Sequence, residues 1–188
     1  MSSIIDSLRS DHSRMTKLLD ALERQIGRFE EGGLIDFEIA DGILHYCRSY
    51  PDRHHHPLED LVYERLKRRN AEAASAMGDL GREHAKLAAL TADFAERLDA
   101  VEQDVAMERH EFLDPARAFL TGYRHHIMME EKHFFPAAER SLTPEDWQAI
   151  QRAREPGVDP LFEHREDDRF DALYRDIVDW DRQLPAGA

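Results

Sequence analysis

The chain has 188 residues, 34% charged and 41% hydrophobic, which suits one domain with a sizeable core. A net charge of −14 leaves no basic surface for nucleic acid or anionic lipid, so neither is an expected partner. No apolar run is long enough to span a membrane, MSSIIDSLRSDHSRM lacks the form of a signal peptide, and the single Cys47 excludes an internal disulfide; a cytoplasmic location is the default.

Apolar residues recur at steps of three and four with little β-branched alternation, which is the helical period. A first helix is predicted over about residues 3–29, with Leu8, Met15, Leu19, Leu22 and Ile26 on one stripe and Gly32-Gly33 as its stop. A second runs over about 37–69, through Ile39, Ile43, Tyr46, Tyr50, Val62 and Leu66, bent or broken by Pro51 and Pro57. A third covers about 77–98 on Leu80, Leu87, Phe94 and Leu98. A fourth covers about 112–141 on Phe112, Phe119 and Tyr123, ending near Phe134, Phe135 and Pro136.

Four long amphipathic segments with shorter connections imply an all-α, antiparallel four-helix bundle over residues 1–141. Residues 142–188 read as a C-terminal helical extension packed on it. Thr143 and Pro144 open a short helix to Arg154, PGVDP interrupts, and a last helix over 169–180 offers Phe170, Leu173, Tyr174 and Ile177. A weak internal echo relates HHPLEDLVY to HIMMEEKHF.

The apolar stripes contain polar members. His12 falls between Leu8 and Met15, and His84 between Leu80 and Leu87. The second and fourth helices each carry His-x-x-x-Glu, as His55/Glu59 and His126/Glu130, which stacks imidazole and carboxylate one turn apart. A lone histidine on such a stripe is more often a satisfied core residue, and a lone His-x-x-x-Glu an exposed pair. Six such residues on four helices facing one interior are different. Two carboxylates in an apolar bundle, with no Lys or Arg on the neighbouring stripe positions, are costly unless neutralised, and divalent cations neutralise them.

Without sulfur donors a structural zinc knot is disfavoured, and mixed imidazole and carboxylate suits iron, with manganese a lesser fit. Two glutamates for two ions suggest bridging carboxylates. Two terminal histidines per ion and a solvent-derived bridge then leave an open position on each for a small ligand such as O2, NO or H2O2.

This pattern, ending in an aromatic and proline on the fourth helix, resembles the hemerythrin-like family, also called the HHE cation-binding domain, over about residues 4–140. The resemblance implies a non-haem di-iron bundle with His12, His55, Glu59, His84, His126 and Glu130 as ligands. Matching Glu59-Asp60 to Glu130-Glu131 sets His55 against His126 and His56 against Ile127. The marine-worm oxygen carriers have a second histidine four residues after the one on the third helix, where this chain has Ala88. They also end in His-x-x-x-x-Asp rather than His-x-x-x-Glu. The ligand pattern is similar to that of bacterial iron-cluster repair proteins answering nitrosative stress, and of the iron-sensing domain of a eukaryotic ubiquitin-ligase subunit.

His56 is a candidate additional ligand if Pro57 widens the helix, with an outer position the equal alternative. Tyr123, Tyr50 and Tyr46 are candidate hydrogen-bond donors near the ligands, though tyrosines so placed are more often core residues. His54, His125, His110, His133 and His164 are expected at the surface, and Met128 and Met129 in packing. Two function classes stay open. One is an oxidoreductase reducing NO or peroxide, or releasing iron for cluster repair; the other is a binding module that stores or senses iron, O2 or NO. No protein partner is indicated.

Overall fold

The structure, a computed structural model, describes residues 3–154 and 171–179, and among these every regular element is helical. Helix α1 (Ser3–Glu30) ends where Gly32 adopts φ +91°, which lets Gly33 N–H reach Arg28 O at 2.9 Å and Gly32 N–H reach Phe29 O at 3.1 Å. Those two bonds satisfy carbonyls that the helix end would leave open, and the positive φ is why glycine stands there. Helix α2 (Phe37–Tyr50) begins on Asp36, whose carboxylate accepts from Ile39 N–H.

The bend or break expected at the two prolines takes the form of a widened turn. Residues Pro51–His55 form a π-helical segment in which His56 N–H reaches back five residues to Pro51 O, and α3 (His56–Arg69) continues the rod. Pro57 has no N–H to give, and its ring would press on the carbonyl four residues earlier; the longer-period turn accommodates both. The same solution recurs before Pro136. There Glu130–Phe134 is π-helical and Phe135 N–H reaches Glu130 O, joining α6 (Arg109–Met129) to α7 (Phe135–Ser141).

The third segment differs from expectation at its start. A short α4 (Ala71–Met77) precedes α5 (Leu80–Glu102), and Gly78 at φ +77° with Asp79 as N-cap separates them. The apolar spacing from Met77 to Leu80 runs across this turn, which hides it from a periodicity reading. Helix α8 (Pro144–Arg154) opens as predicted, with Thr143 N–H and hydroxyl both held by Asp146.

Four rods, α1, α2–α3, α5 and α6–α7, pack in a ring, each against the next. Their interior is apolar at both ends. One cluster holds Met15, Leu19, Tyr46, Leu87, Phe94, Phe119 and Ile127; the other holds Ile4, Leu8, Leu58, Val62, Leu80, Phe134 and Phe135. The polar stripe residues lie between them: His12 between Leu8 and Met15, His84 between Leu80 and Leu87, Glu130 between Ile127 and Phe134.

Residues 171–179 are helical and lie on the first cluster, with Ile177 fully buried and Leu173 and Tyr174 against it. Gly42 permits the approach, since a Cβ there would sit 3.2 Å from Ile177 Cδ1. Arg14 fixes it further through Asp171 at 2.6 Å. PGVDP, His164, Arg169, Phe170 and Trp180 lie outside the described residues. Among the described residues no helix is long and apolar enough to cross a membrane.

Candidate metal centre

The structure brings His12, His55, Glu59, His84, His126 and Glu130 into one layer. Five of them are at most 6% exposed, and His84 is only partly covered. Two groups emerge in which one donor atom per residue lies within 4.8 Å of the others: His12, His55, Glu59 and Glu130, and His56, Glu59, His84 and His126. His56, 8% exposed, therefore belongs to the same layer. The π-helical segment before it is the reason, because the widened turn lets both His55 and His56 face inward.

The glutamates connect the groups. Glu59 Oε1 lies 3.2 Å from His55 Nε2 while its Oε2 lies 3.5 Å from His84 Nε2. Glu130 Oε2 lies 3.2 Å from His12 Nε2 and 3.3 Å from His126 Nε2, and its Oε1 lies 3.9 Å from His84 Nε2. These approaches are close without being aligned as hydrogen bonds. Both oxygens of Glu59, both of Glu130, and Nε2 of His84 and His126 are buried with no hydrogen-bond partner among the described residues. Buried polar atoms are almost always satisfied, so six such atoms around one point form a donor set suited to a cation. Their chemistry fits a divalent cation with nitrogen and oxygen preference.

The outer nitrogens of three histidines are held by carboxylates. Nδ1 of His12 meets Glu131 at 2.9 Å, Nδ1 of His55 meets Asp11 at 3.2 Å, and Nδ1 of His56 meets Asp52 at 3.0 Å. A neutral imidazole whose Nδ1 proton is donated outward presents its Nε2 lone pair inward, the tautomer a metal requires. Nε2 of His12 and Nε2 of His55 face each other at 3.1 Å. Two lone pairs at that separation repel unless a proton or a cation lies between them.

Electrostatics agrees. Burial opposes charge on His55, but Glu59 and the Asp11 contact outweigh it and raise its pKa to about 10. Burial likewise opposes charge on His84, which Glu130 and Glu59 overcome, raising it to about 9. His12 is raised in the same way by Glu130 and Glu131 against burial. His56 goes the other way, pushed down to about 2 by burial and by neighbouring His84, on which it stacks at 3.8 Å between ring centroids. Burial also lowers His126. Burial works against the Glu59 charge, yet His55, His84 and His126 hold its pKa well below the carboxylate range. Glu59 is thus an anion that demands positive charge around it.

Tyr123 donates to Cys47 O at 3.0 Å, and its buried phenol is raised by desolvation. Tyr46 is buried and stacked on Tyr50 at 5.0 Å. Tyr50 is linked to the site, donating to Asp11 Oδ1 at 3.0 Å. His125, His110 and His133 are exposed as expected. His54 is not: it is half-buried against Tyr50, at 5.2 Å between ring centroids, turned there by the same widened segment. Asp11 and Glu131 were not distinguishable as site residues by sequence. Only Asp52, four residues before His56, carries a spacing that points to it.

The fold and this layer define a helical-bundle protein with a buried histidine–carboxylate centre for cations. A family model described as the hemerythrin HHE cation binding domain matches residues 3–138, and the chain belongs to that family. No curated protein and no solved structure matches it.

Proposed function

We propose that the chain holds two iron ions, with manganese the lesser fit, and through them binds a small oxidising ligand: O2, NO or peroxide. The observation that carries this reading is the double reach of Glu59, one oxygen toward His55 and the other toward His84, as a bridging carboxylate requires. The proposed ligands are His12, His55, Glu59, His84, His126 and Glu130, with His56 as a fifth imidazole. Counted this way, the group with His12 and His55 has two imidazoles and the other has three. The poorer group has room for an exogenous ligand.

When bound, the iron pair supplies redox chemistry toward such a ligand. The chain's own residues orient and enclose. Asp11, Glu131 and Asp52 fix the imidazoles, and the apolar clusters on either side, with Phe135 stacked on His12 at 5.1 Å, exclude water. The proposed role is oxidative or nitrosative stress handling in the cytoplasm, with no nucleic acid or membrane partner. One observation favours a second reading, iron storage, iron sensing or iron supply for cluster repair without turnover. The Tyr123 hydroxyl is spent on Cys47 O, so it does not serve as a proton donor at the centre.

The test is metal analysis followed by anaerobic stopped-flow of the iron(II)-loaded protein against O2, NO and H2O2. About two irons per chain are expected, with a spectral change for at least one ligand. Multiple turnovers with NO or peroxide would establish an enzyme. No response to any of the three would favour storage or sensing.

A further inference from the structure

We propose that the pocket under the α4–α5 turn is the passage by which uncharged diatomic molecules reach the centre. The proposal rests on the reading of that centre as a small-ligand site. A pocket of about 210 Å³ extends to His126 and Glu130 from a rim of exposed residues, Asp79, Glu83, Lys86 and His125. Between rim and floor its wall is made by Met77, Leu80, Met129 and Phe134, all half-buried or buried. Along that wall, between the polar rim and the floor, an ion meets no group to replace the waters it sheds, whereas an uncharged diatomic sheds almost none. The volume exceeds a diatomic's needs several times over, so the pocket does not select by fit; it selects by polarity.

The rim is fixed in place. Tyr63 on α3 donates to Gly78 O at 2.6 Å, which fastens the turn to the bundle. Gly78, at φ +77°, gives the chain the reversal that brings Met77 and Leu80 to the same wall. The ring of Tyr63 also meets Phe134 edge-on at 6.1 Å, so one residue positions both the turn and the innermost apolar side chain. The floor is where the two donor groups meet: His126 belongs to the three-imidazole group and Glu130 to the other.

The test uses the full chain, first without metal. With methionine methyl groups labelled in 13C, relaxation enhancement by dissolved O2 is compared with that by a polar gadolinium chelate, which reports solvent exposure alone. Met77 and Met129 should show an O2-to-gadolinium ratio several-fold above that of Met107, which is not in the pocket wall. Met77→Trp should abolish the excess at Met129. It should also slow NO association with the iron(II)-loaded protein about tenfold at unchanged iron content, as one steric obstruction raising the entry barrier would. Tyr63→Phe, which frees the turn, should change the NO rate with iron content again unchanged. The passage is wrong if Met77 and Met129 follow the gadolinium pattern, or if folded Met77→Trp binds NO as fast as wild type. Excess O2 relaxation in a protein that takes up no iron would support the passage and defeat the reading of the centre, so the two fail separately.

Discussion

Asp11 holds His55 from the far side of the imidazole: its Oδ2 lies 3.2 Å from Nδ1, and its Oδ1 accepts from Tyr50. The carboxylate thereby sets which ring nitrogen faces the centre and stops the ring from turning. Removing such a partner from a metal-bound histidine typically weakens metal retention about 10–100-fold. Asp11→Ala is expected to lose iron to a competing chelator by that factor with its helical content intact, and Tyr50→Phe to show a smaller loss. Chelator competition followed by absorbance checks this. Equal retention by Asp11→Ala and wild type would mean that packing alone orients His55.

In the proposed centre, His56 supplies the imidazole that the marine-worm carriers place at the position of Ala88. Ala88 is exposed on α5, while His56 is buried and stacked on His84. His56→Ala is therefore expected to lower iron from about two ions per chain toward one, and adding Ala88→His to that variant to restore nothing. Elemental analysis decides. Full iron content in His56→Ala would assign His56 an outer, non-ligating place.

Much of this was readable from the chain because the apolar period is helical and unbroken where it matters. His12 and His84 each replace a core residue in an otherwise regular stripe, and Glu59 and Glu130 repeat the offset from their histidines. The widening before Pro57 entered the sequence reading only as a condition for His56 to ligate, and the second π-helical segment, before Pro136, was not readable. A uniform 100° per residue places His54, His55 and His56 on three different faces, and only the relief of strain before Pro57 brings His55 and His56 inward together. Asp11 and Glu131 escaped for another reason. Each serves a histidine on a different rod, and a single sequence carries the face of a residue but not the rotation of one rod against another.

Removing the metal should loosen the layer in a pH-dependent way. Without cations, the charge on Glu59 is balanced by His55 and His84, whose pKa values rise to about 10 and about 9. A histidine raised on folding stabilises the fold fully below its unfolded value near 6.5, and that contribution is lost as pH climbs through the raised value. Chelated protein should thus melt below iron-loaded protein at pH 7, and the gap should widen between pH 9 and 10. Circular dichroism melts at both pH values test this. Coincident curves would mean that the polar layer is satisfied by protein groups alone.

The last prediction concerns the far end of the bundle, where α8 is clamped to α3. Asp146 is 5% exposed and accepts four hydrogen bonds, from Arg69 Nε at 2.7 Å, Arg69 Nη2 at 3.3 Å, and Thr143 N–H and hydroxyl at 3.1 and 3.2 Å, with Arg65 Nη1 further off at 3.9 Å. The Arg69 hydrogen bond is the main reason its pKa falls below the usual 3.8. A carboxylate depressed on folding contributes stability above its unfolded pKa and loses it as pH falls through the folded one. Asp146→Asn keeps the shape and a cap for α8 but removes the charge, so it should lower Tm by a few degrees at neutral pH. Because Arg69 is half exposed, water and salt screen the pair, and the difference should shrink in high salt. It should hold steady from pH 8 down to about 5, where the group is charged in both states. Below about 3.8 it should close as wild-type Asp146 takes up its proton. Melts of both proteins across that range decide the matter, since a gap that persists unchanged at pH 3 would place the loss in the cap geometry and not in the ion pair.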